Sequence, residues 1–326
     1  MQMLASGFHK VPDAEISFFH NFMPAPTGGG HQFLHGLWRE FEKRGIKLEN
    51  NSISRTTRAC LFNSFNFDLK QLRRLHRPDC RMIHRVDGPL AVYRGVDDGT
   101  DDRIFAANRE FADATIFQSR YSLMKHHELK FDFVKPVVIP NATDPLVFHA
   151  RGRLPFSKKS KIKLISVSWS DNVNKGAPVY QWLDEHLDWG KYEYTFVGRS
   201  PFIFKHIRAL APVTSEELAK ILRQHDIFIT ASRNDPCSNA LIEALACGLP
   251  ALYLNSGGHP EIVGQAGHFF ETAEGIPALI DRTILEYESL QAAIKLPSIS
   301  DVADRYLEIL LGDGSRPSMP ENVLRG

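Results

Sequence analysis

The chain has 326 residues, 43% of them hydrophobic and 24% charged, a composition that excludes a disordered polymer, and its length exceeds the ~250 residues at which single cores stop growing, so two domains and a cleft are expected. Lys plus Arg number 39 against 38 Asp plus Glu, which leaves no global basic field and excludes nucleic acid as the main partner. Cys60, Cys80, Cys237 and Cys247 are scattered without a Cys-x-x-Cys pair, and no secretory pattern is read at the N-terminus; both fit a reducing cytoplasm. No apolar run approaches the ~18 residues that span a bilayer, so the protein is expected to touch a membrane surface at most.

The first unit is an apolar stretch, Ile16 to Phe22, a Pro/Gly loop with Gly28, Gly29 and Gly30, and a helical pattern from His31 to Arg44 that closes on Gly45. Consecutive glycines before a helix let backbone N–H groups approach an anion or a hydroxyl-rich ligand, and the helix N-terminus adds about half a positive charge. A plain turn fits the glycines equally well. Short apolar runs then alternate with helical stretches: Lys47 to Ile53, Ala59 to Phe62, Arg81 to Val86, Ala114 to Gln118 and Val134 to Ile139. Such alternation predicts a parallel, doubly wound sheet.

Between these strands, Lys70, Arg73, Arg74, His76, Arg77 and Arg81 accompany Leu69, Leu72 and Leu75 at helical spacing. This basic amphipathic segment reads either as a solvated helix with its apolar face in the core or as a contact for anionic lipid or a lipid-diphosphate acceptor. Asp97, Asp98, Asp101 and Asp102 flank Gly99 in a polar stretch and read as solvated turn residues rather than a metal motif. A change in composition from Phe148 to Lys163 marks the linker, which puts a first domain at 1–155, a second at 156–312 and a loose tail at 313–326.

The second half repeats the alternation with strands at Lys163 to Ser168, Tyr194 to Val197, Ile227 to Thr230 and Ala251 to Leu254, and ends on a helix from Ser300 to Leu311. Its best-marked helix, Ser238 to Cys247, stops at Gly248-Leu249-Pro250. The amides near Ser238 and Asn239 are free donors suited to a diphosphate, and Glu243, about a turn further in, can accept both hydroxyls of a ribose. On spacing alone, Asp235 as a loop carboxylate and Glu243 as a solvated helix residue fit as well.

The stretch Asp235-x7-Glu243 followed by Ala246-Cys247-Gly248-Leu249-Pro250 resembles the retaining glycosyltransferase family four, with the first acid shortened from Glu to Asp. The resemblance extends in order through Phe19 to Gly45, Val138-Ile-Pro-Asn141, Leu164 to Gly176, Ser215 to Ser232 and Ser256-Gly-Gly-His-Pro-Glu261. It implies an α/β chain of the GT-B kind: two facing Rossmann-like domains with parallel sheets, an acceptor in the first, a nucleotide-sugar donor in the second and a cleft between them.

The resemblance also implies roles. Glu243, Ser238, Asn239, Ser170 and Gly28 to Gly30 would bind the donor; Lys175, Asp235, Asp87 and His84 would serve catalysis, and Arg85 the acceptor. Ser170 stands where the family has an arginine paired with Lys175. Arg199, in Phe196-Val-Gly-Arg199, is the residue expected to replace its guanidinium, the helix at Ser238 being the alternative source of positive charge. Sugar transfer with retention, no metal or other cofactor, a saccharide or lipid-linked acceptor and bacterial polysaccharide or glycan synthesis in the cytoplasm or at the inner membrane face all follow as expectations. A nucleotide-sugar epimerase and a non-catalytic nucleotide-sugar-binding protein are the rival readings.

Overall fold

The computed structural model describes residues 11–23 and 29–312. Gly28 and the tail 313–326 lie outside the described residues. Among the described residues twelve strands form two sheets, and every pairing is parallel. In the first, β1 (Ile16–Phe19), β2 (Leu48–Asn50), β3 (Ala59–Asn63), β4 (Arg81–Val86), β5 (Ala114–Phe117) and β6 (Pro136–Val138) lie in the order 2-1-3-4-5-6. In the second, β7 (Ile162–Ser168), β8 (Tyr192–Gly198), β9 (Arg208–Leu210), β10 (Ile227–Thr230), β11 (Ala251–Leu254) and β12 (Gly267–Phe270) lie in the order 12-11-10-7-8-9. The inner strands are apolar and buried along their length, as in β3, β10 and β11. Such runs suit a parallel sheet covered by helices on both faces.

Helices α1 (Gly29–Lys43), α2 (Leu69–Leu75), α3 (Leu90–Arg94), α4 (Thr100–Phe111) and α5 (Arg120–Glu128) connect the first sheet. The second is connected and covered by α6 (Ala177–His186), α7 (Ser215–Arg223), α8 (Asn239–Ala246), α9 (His259–Val263), α10 (Ile276–Leu285) and α11 (Tyr287–Ala292), and α12 (Ile299–Leu311) follows. The two Rossmann-like halves expected from the alternation are present. The edge strands β9 and β12 were not anticipated. Arg208 and Ala209 are exposed, and β12 has one fully buried residue, so neither carries an apolar run.

The last helix corrects the expected division at 156–312. Ile299, Val302, Ala303, Tyr306, Leu307 and Leu310 sit in one core with Phe18 and Ile83 of the first sheet and Leu34 and Trp38 of the helix that follows β1. The Arg44 guanidinium fixes this return, reaching Asp304 at 2.5 Å and the Ser300 carbonyl at 2.8 Å. Each buried aliphatic side chain there contributes about 1.5–3 kcal/mol, so α12 ties the end of the described chain to the first sheet.

The basic segment forms α2, capped by Asp68, with Leu72 buried. Two of its cations are already paired: Arg73 holds Glu110 through two bonds of 2.6 and 2.5 Å, and Arg77 holds Asp79. Among the four aspartates, Asp101 departs from the solvated reading. It is buried and accepts the Leu90 and Ala91 amides at 2.8 and 2.9 Å, capping α3.

The two halves touch through close backbone approach. A Cβ on Gly88 would lie 2.6 Å from Pro236 Cβ, and one on Gly29 would lie 2.4 Å from Asn239 Cβ, so only glycine permits either contact. Polar contacts cross beside them: Asn141 Nδ2 donates to Asn239 Oδ1 at 3.0 Å, Asn174 Nδ2 to the Tyr93 carbonyl at 2.9 Å, and Tyr121 Oη to Asn234 Oδ1 at 3.1 Å.

Candidate active site

A cavity of about 770 Å³ opens between the halves, lined from both. Asp87 follows β4, Gln118 follows β5, Trp169, Ser170 and Lys175 follow β7, and Asp235 follows β10. All are at carboxyl ends of strands, where open α/β sheets bind ligands.

On the second half, Ser238 caps α8 by accepting from the Leu241 amide. The amides of Asn239 and Ala240 have no acceptor among the described residues. They are free donors at a helix N-terminus, a ready anion site. One turn further in, Glu243 lines the cavity and is 7% exposed, and its carboxyl makes no hydrogen bond or ion pair among the described residues. Burial raises its carboxyl to about 8.

Lys175 lies in the 3-10 turn after β7. Its Nζ donates to Asp235 Oδ2 at 2.8 Å and sits 5.0 Å from the Tyr93 ring centroid. Burial disfavours the Lys175 charge, but Asp235 and Tyr93 outweigh it and raise its pKa. For Asp235 burial pushes upward, while Lys175, His259 and the Cys237 amide pull its carboxyl below the ordinary value. Lys175 and Asp235 therefore form a nearly neutral pair, which leaves less free positive charge for a phosphate than an isolated lysine. Gly176, at φ 78, lets this turn pass over Ala231, whose carbonyl oxygen would be 2.3 Å from a Cβ there.

On the first half, Asp87 is held by Arg85 at 3.0 Å, by the Ser64 hydroxyl at 3.1 Å and by the Gln118 amide. Gly29, Gly30 and His31, the opening turn of α1, complete this wall. The N-termini of α1 and α8 thus meet at one cavity, and their partial positive charges add there.

The structure separates the residues singled out in the sequence. It brings Lys175, Asp235, Asp87, Glu243, Ser238, Asn239, Ser170, Gly29 and Gly30 to the cavity. His84 is not among its lining. It is fully buried, stacked on Phe62 at 4.2 Å and bonded to the Ser64 carbonyl and Asn108, and burial lowers its pKa to about 3. Arg85 is also fully buried and reaches Asn63, Asp87 and Asn141 instead of the open space. Side chains alternate along β4, so Arg85 shares a side with Asp87 and bonds to it, while His84 takes the opposite side, against Phe62 and Asn108. Arg199 does not line the cavity. It is exposed, and its guanidinium lies 5.1 Å from the Trp169 ring centroid, which holds it behind that side chain. The Ser170 carbonyl accepts from Ser168 Oγ at 2.7 Å.

Several lining residues escaped the sequence reading: His31, Tyr93, Arg94, Gln118 and Trp169. Trp169 immediately precedes Ser170, and His31 directly follows the glycines. Those positions were the available signal.

Residues 192–286 match the family model described as glycosyl transferases group 1. A glycosyltransferase from Rickettsia africae superposes with a TM-score of 0.63 at 14% identity, over 91% of this chain and 98% of that one. The Escherichia coli trehalose-6-phosphate structure bound with UDP-2-fluoro glucose gives 0.65 at 12% identity, over 91% and 99%. The chain has the GT-B fold. Sucrose-phosphate synthase from Thermosynechococcus elongatus is also similar, at a TM-score of 0.56 and 14% identity, over 89% of this chain and 76% of that one. No curated protein matches the chain. The family resemblance carried by the sequence motifs is borne out by this match and these GT-B neighbours.

Proposed function

We propose that this GT-B protein transfers a sugar from a nucleotide-diphosphate sugar to a saccharide or lipid-linked acceptor, with retention of configuration. The observation that carries this reading is Glu243: a buried, unpartnered carboxylate that lines the cavity one turn inside α8. An unpaired buried carboxylate is costly, and a ribose diol beside it supplies two donors in the geometry it lacks. The free amides of Asn239 and Ala240 then take the diphosphate.

Breaking the bond from sugar to diphosphate leaves negative charge on the phosphate, which preorganised dipoles stabilise best. The converging N-termini of α1 and α8 take this role in place of the missing arginine, with Lys175 as the adjacent cation. This replaces Arg199, which stands outside the cavity. Asp87 faces the cavity from the first half, where the acceptor would lie, and Arg85 positions Asp87 from behind. No cluster of three His, Cys, Asp or Glu suited to a metal exists among the described residues, and our reading has the sugar transfer proceed without one. No described helix is long and apolar enough to cross a membrane; a lipid-linked acceptor would bring the protein to the inner membrane face, and a saccharide acceptor would leave it in the cytoplasm.

Thermal unfolding of the wild type and Glu243→Ala with UDP, GDP, ADP and their hexose conjugates, each with and without EDTA, tests the reading. A ligand at ~100 times its dissociation constant adds about 2.7 kcal/mol to the folded state. One base is expected to raise Tm in the wild type only, with no change in EDTA. Equal shifts in both proteins, or none, would count against the role of Glu243.

A further inference from the structure

The residue after β1, His20, is 1% exposed and belongs to a hydrogen-bonded chain that no catalytic role yet uses. His20 Nε2 lies 2.9 Å from His31 Nδ1, and His20 Nδ1 lies 3.5 Å from Asn63 Nδ2. Asn63 Oδ1 in turn accepts from Arg85 at 2.6 Å. A guanidinium has donors only, so it fixes the orientation of the Asn63 amide: the oxygen faces Arg85 and the NH₂ donates to His20 Nδ1. Burial, helped by His31, Arg85 and His35, holds His20 neutral by lowering its pKa to about 2. A neutral imidazole has one N–H, and with Nδ1 accepting, that proton is on Nε2. It is donated to His31 Nδ1.

The same step repeats at His31. Burial lowers its pKa against the pull of Asp87, so the ring is neutral with Nδ1 as acceptor. Its single N–H is on Nε2, the edge left for the cavity that His31 lines. No lone pair remains there for a base, and each link polarises the next in the same sense, from the fixed charge of Arg85 outward. Asp87, on the same wall, has the opposite character: it accepts from Arg85, Gln118 and Ser64 and keeps acceptor capacity, because a carboxylate offers about four lone-pair sites.

We infer that the chain Arg85, Asn63, His20, His31 presents His31 Nε2–H to the cavity as a fixed donor, and that His31 and Asp87 together bracket one sugar hydroxyl. His31 donates to the hydroxyl oxygen and Asp87 accepts its hydrogen. An oxygen without a hydrogen satisfies one partner only, so the pair selects an alcohol over an ether, an ester or a deoxy position. The assignment to a sugar rests on the transferase reading; the orientation of the chain does not.

Two readouts separate these. In the full chain labelled with ¹⁵N-histidine, long-range ¹H–¹⁵N spectra at pH 7 are expected to place both His20 and His31 in the neutral Nε2–H form. Asn63→Asp puts an acceptor at both ends while keeping a partner for Arg85, and is expected to turn both rings to the Nδ1–H form. A wild-type His31 that is Nδ1–H or doubly protonated overturns the inference, as does an unchanged tautomer in Asn63→Asp. Calorimetry with UDP and UDP-glucose, or the GDP or ADP pair when that base binds, supplies the second readout. His31→Ala is expected to weaken the sugar conjugate about tenfold with the free diphosphate unchanged when the hydroxyl is on the donor. When the hydroxyl is on the acceptor, both affinities stay and the acceptor KM rises about tenfold. Equal loss of free diphosphate, or no loss anywhere, overturns the hydroxyl assignment. Absence of nucleotide binding with the expected tautomers in place would count against the transferase reading and leave the donor orientation standing.

Discussion

In the cavity Lys175 donates to Asp235 across 2.8 Å, and the two side chains are 17% and 8% exposed. Neither charge is tolerable alone at that depth. Removing one partner of a buried pair costs about 3–5 kcal/mol because the other is left uncompensated. Lys175→Ala is therefore expected to lower stability by roughly that amount, and Lys175→Ala with Asp235→Asn to recover much of it; urea unfolding of the two variants checks this. Equal instability of single and double variants would show that the pair is not coupled. Glu243 behaves in the opposite way. Its folded-state carboxyl is raised to about 8 by burial, above its ordinary value, so its contribution to stability is complete below about 4.5 and lost as pH rises through 8. Above pH 8, Glu243→Gln is expected to be the more stable protein in the absence of ligand.

Helix α5 begins in the first half and is capped from the second. Glu261 accepts the Arg120 amide at 2.9 Å and the Tyr121 amide at 2.7 Å, a charge-assisted N-terminal cap that also joins the halves. Glu261→Ala is expected to cost about 1 kcal/mol and to speed hydrogen exchange at the start of α5 together with the facing loop around Asn234. Acceleration at α5 alone would mean that the cap does not couple the halves. The elements themselves were largely legible in the sequence. β10 and β11 have the expected bounds because strands buried on both faces are nearly continuous apolar runs. β9 escaped because Arg-Ala-Leu carries no such signal, and α12 was placed in the wrong half because its amphipathic spacing names a buried face without naming the sheet it meets. The site divides along the same line. Lys175, Asp235 and Glu243 were read from local motifs, whereas Arg199, His84 and Arg85 were misplaced because the sequence leaves open which side of Trp169 or of β4 faces the cleft. The chain from Arg85 to His31 joins four separate segments, so no local pattern could have revealed it.

At the scale of the molecule, two parallel sheets set their carboxyl ends around one cavity, and the N-termini of α1 and α8 meet there through contacts that require Gly29. The central claim is that this cavity holds a nucleoside diphosphate with its ribose on Glu243. Titration calorimetry at pH 7, repeated in buffers of different ionisation enthalpy with the nucleotide selected by thermal shift, tests it most directly. At that pH the empty site holds Glu243 mostly protonated. Two ribose donors favour the ionised form and lower its pKa, so binding is expected to release most of one proton and to tighten as pH rises toward 8, levelling above it. Glu243→Gln should bind more weakly and release none. Tight binding with no proton released, or the same release from Glu243→Gln, would contradict the account.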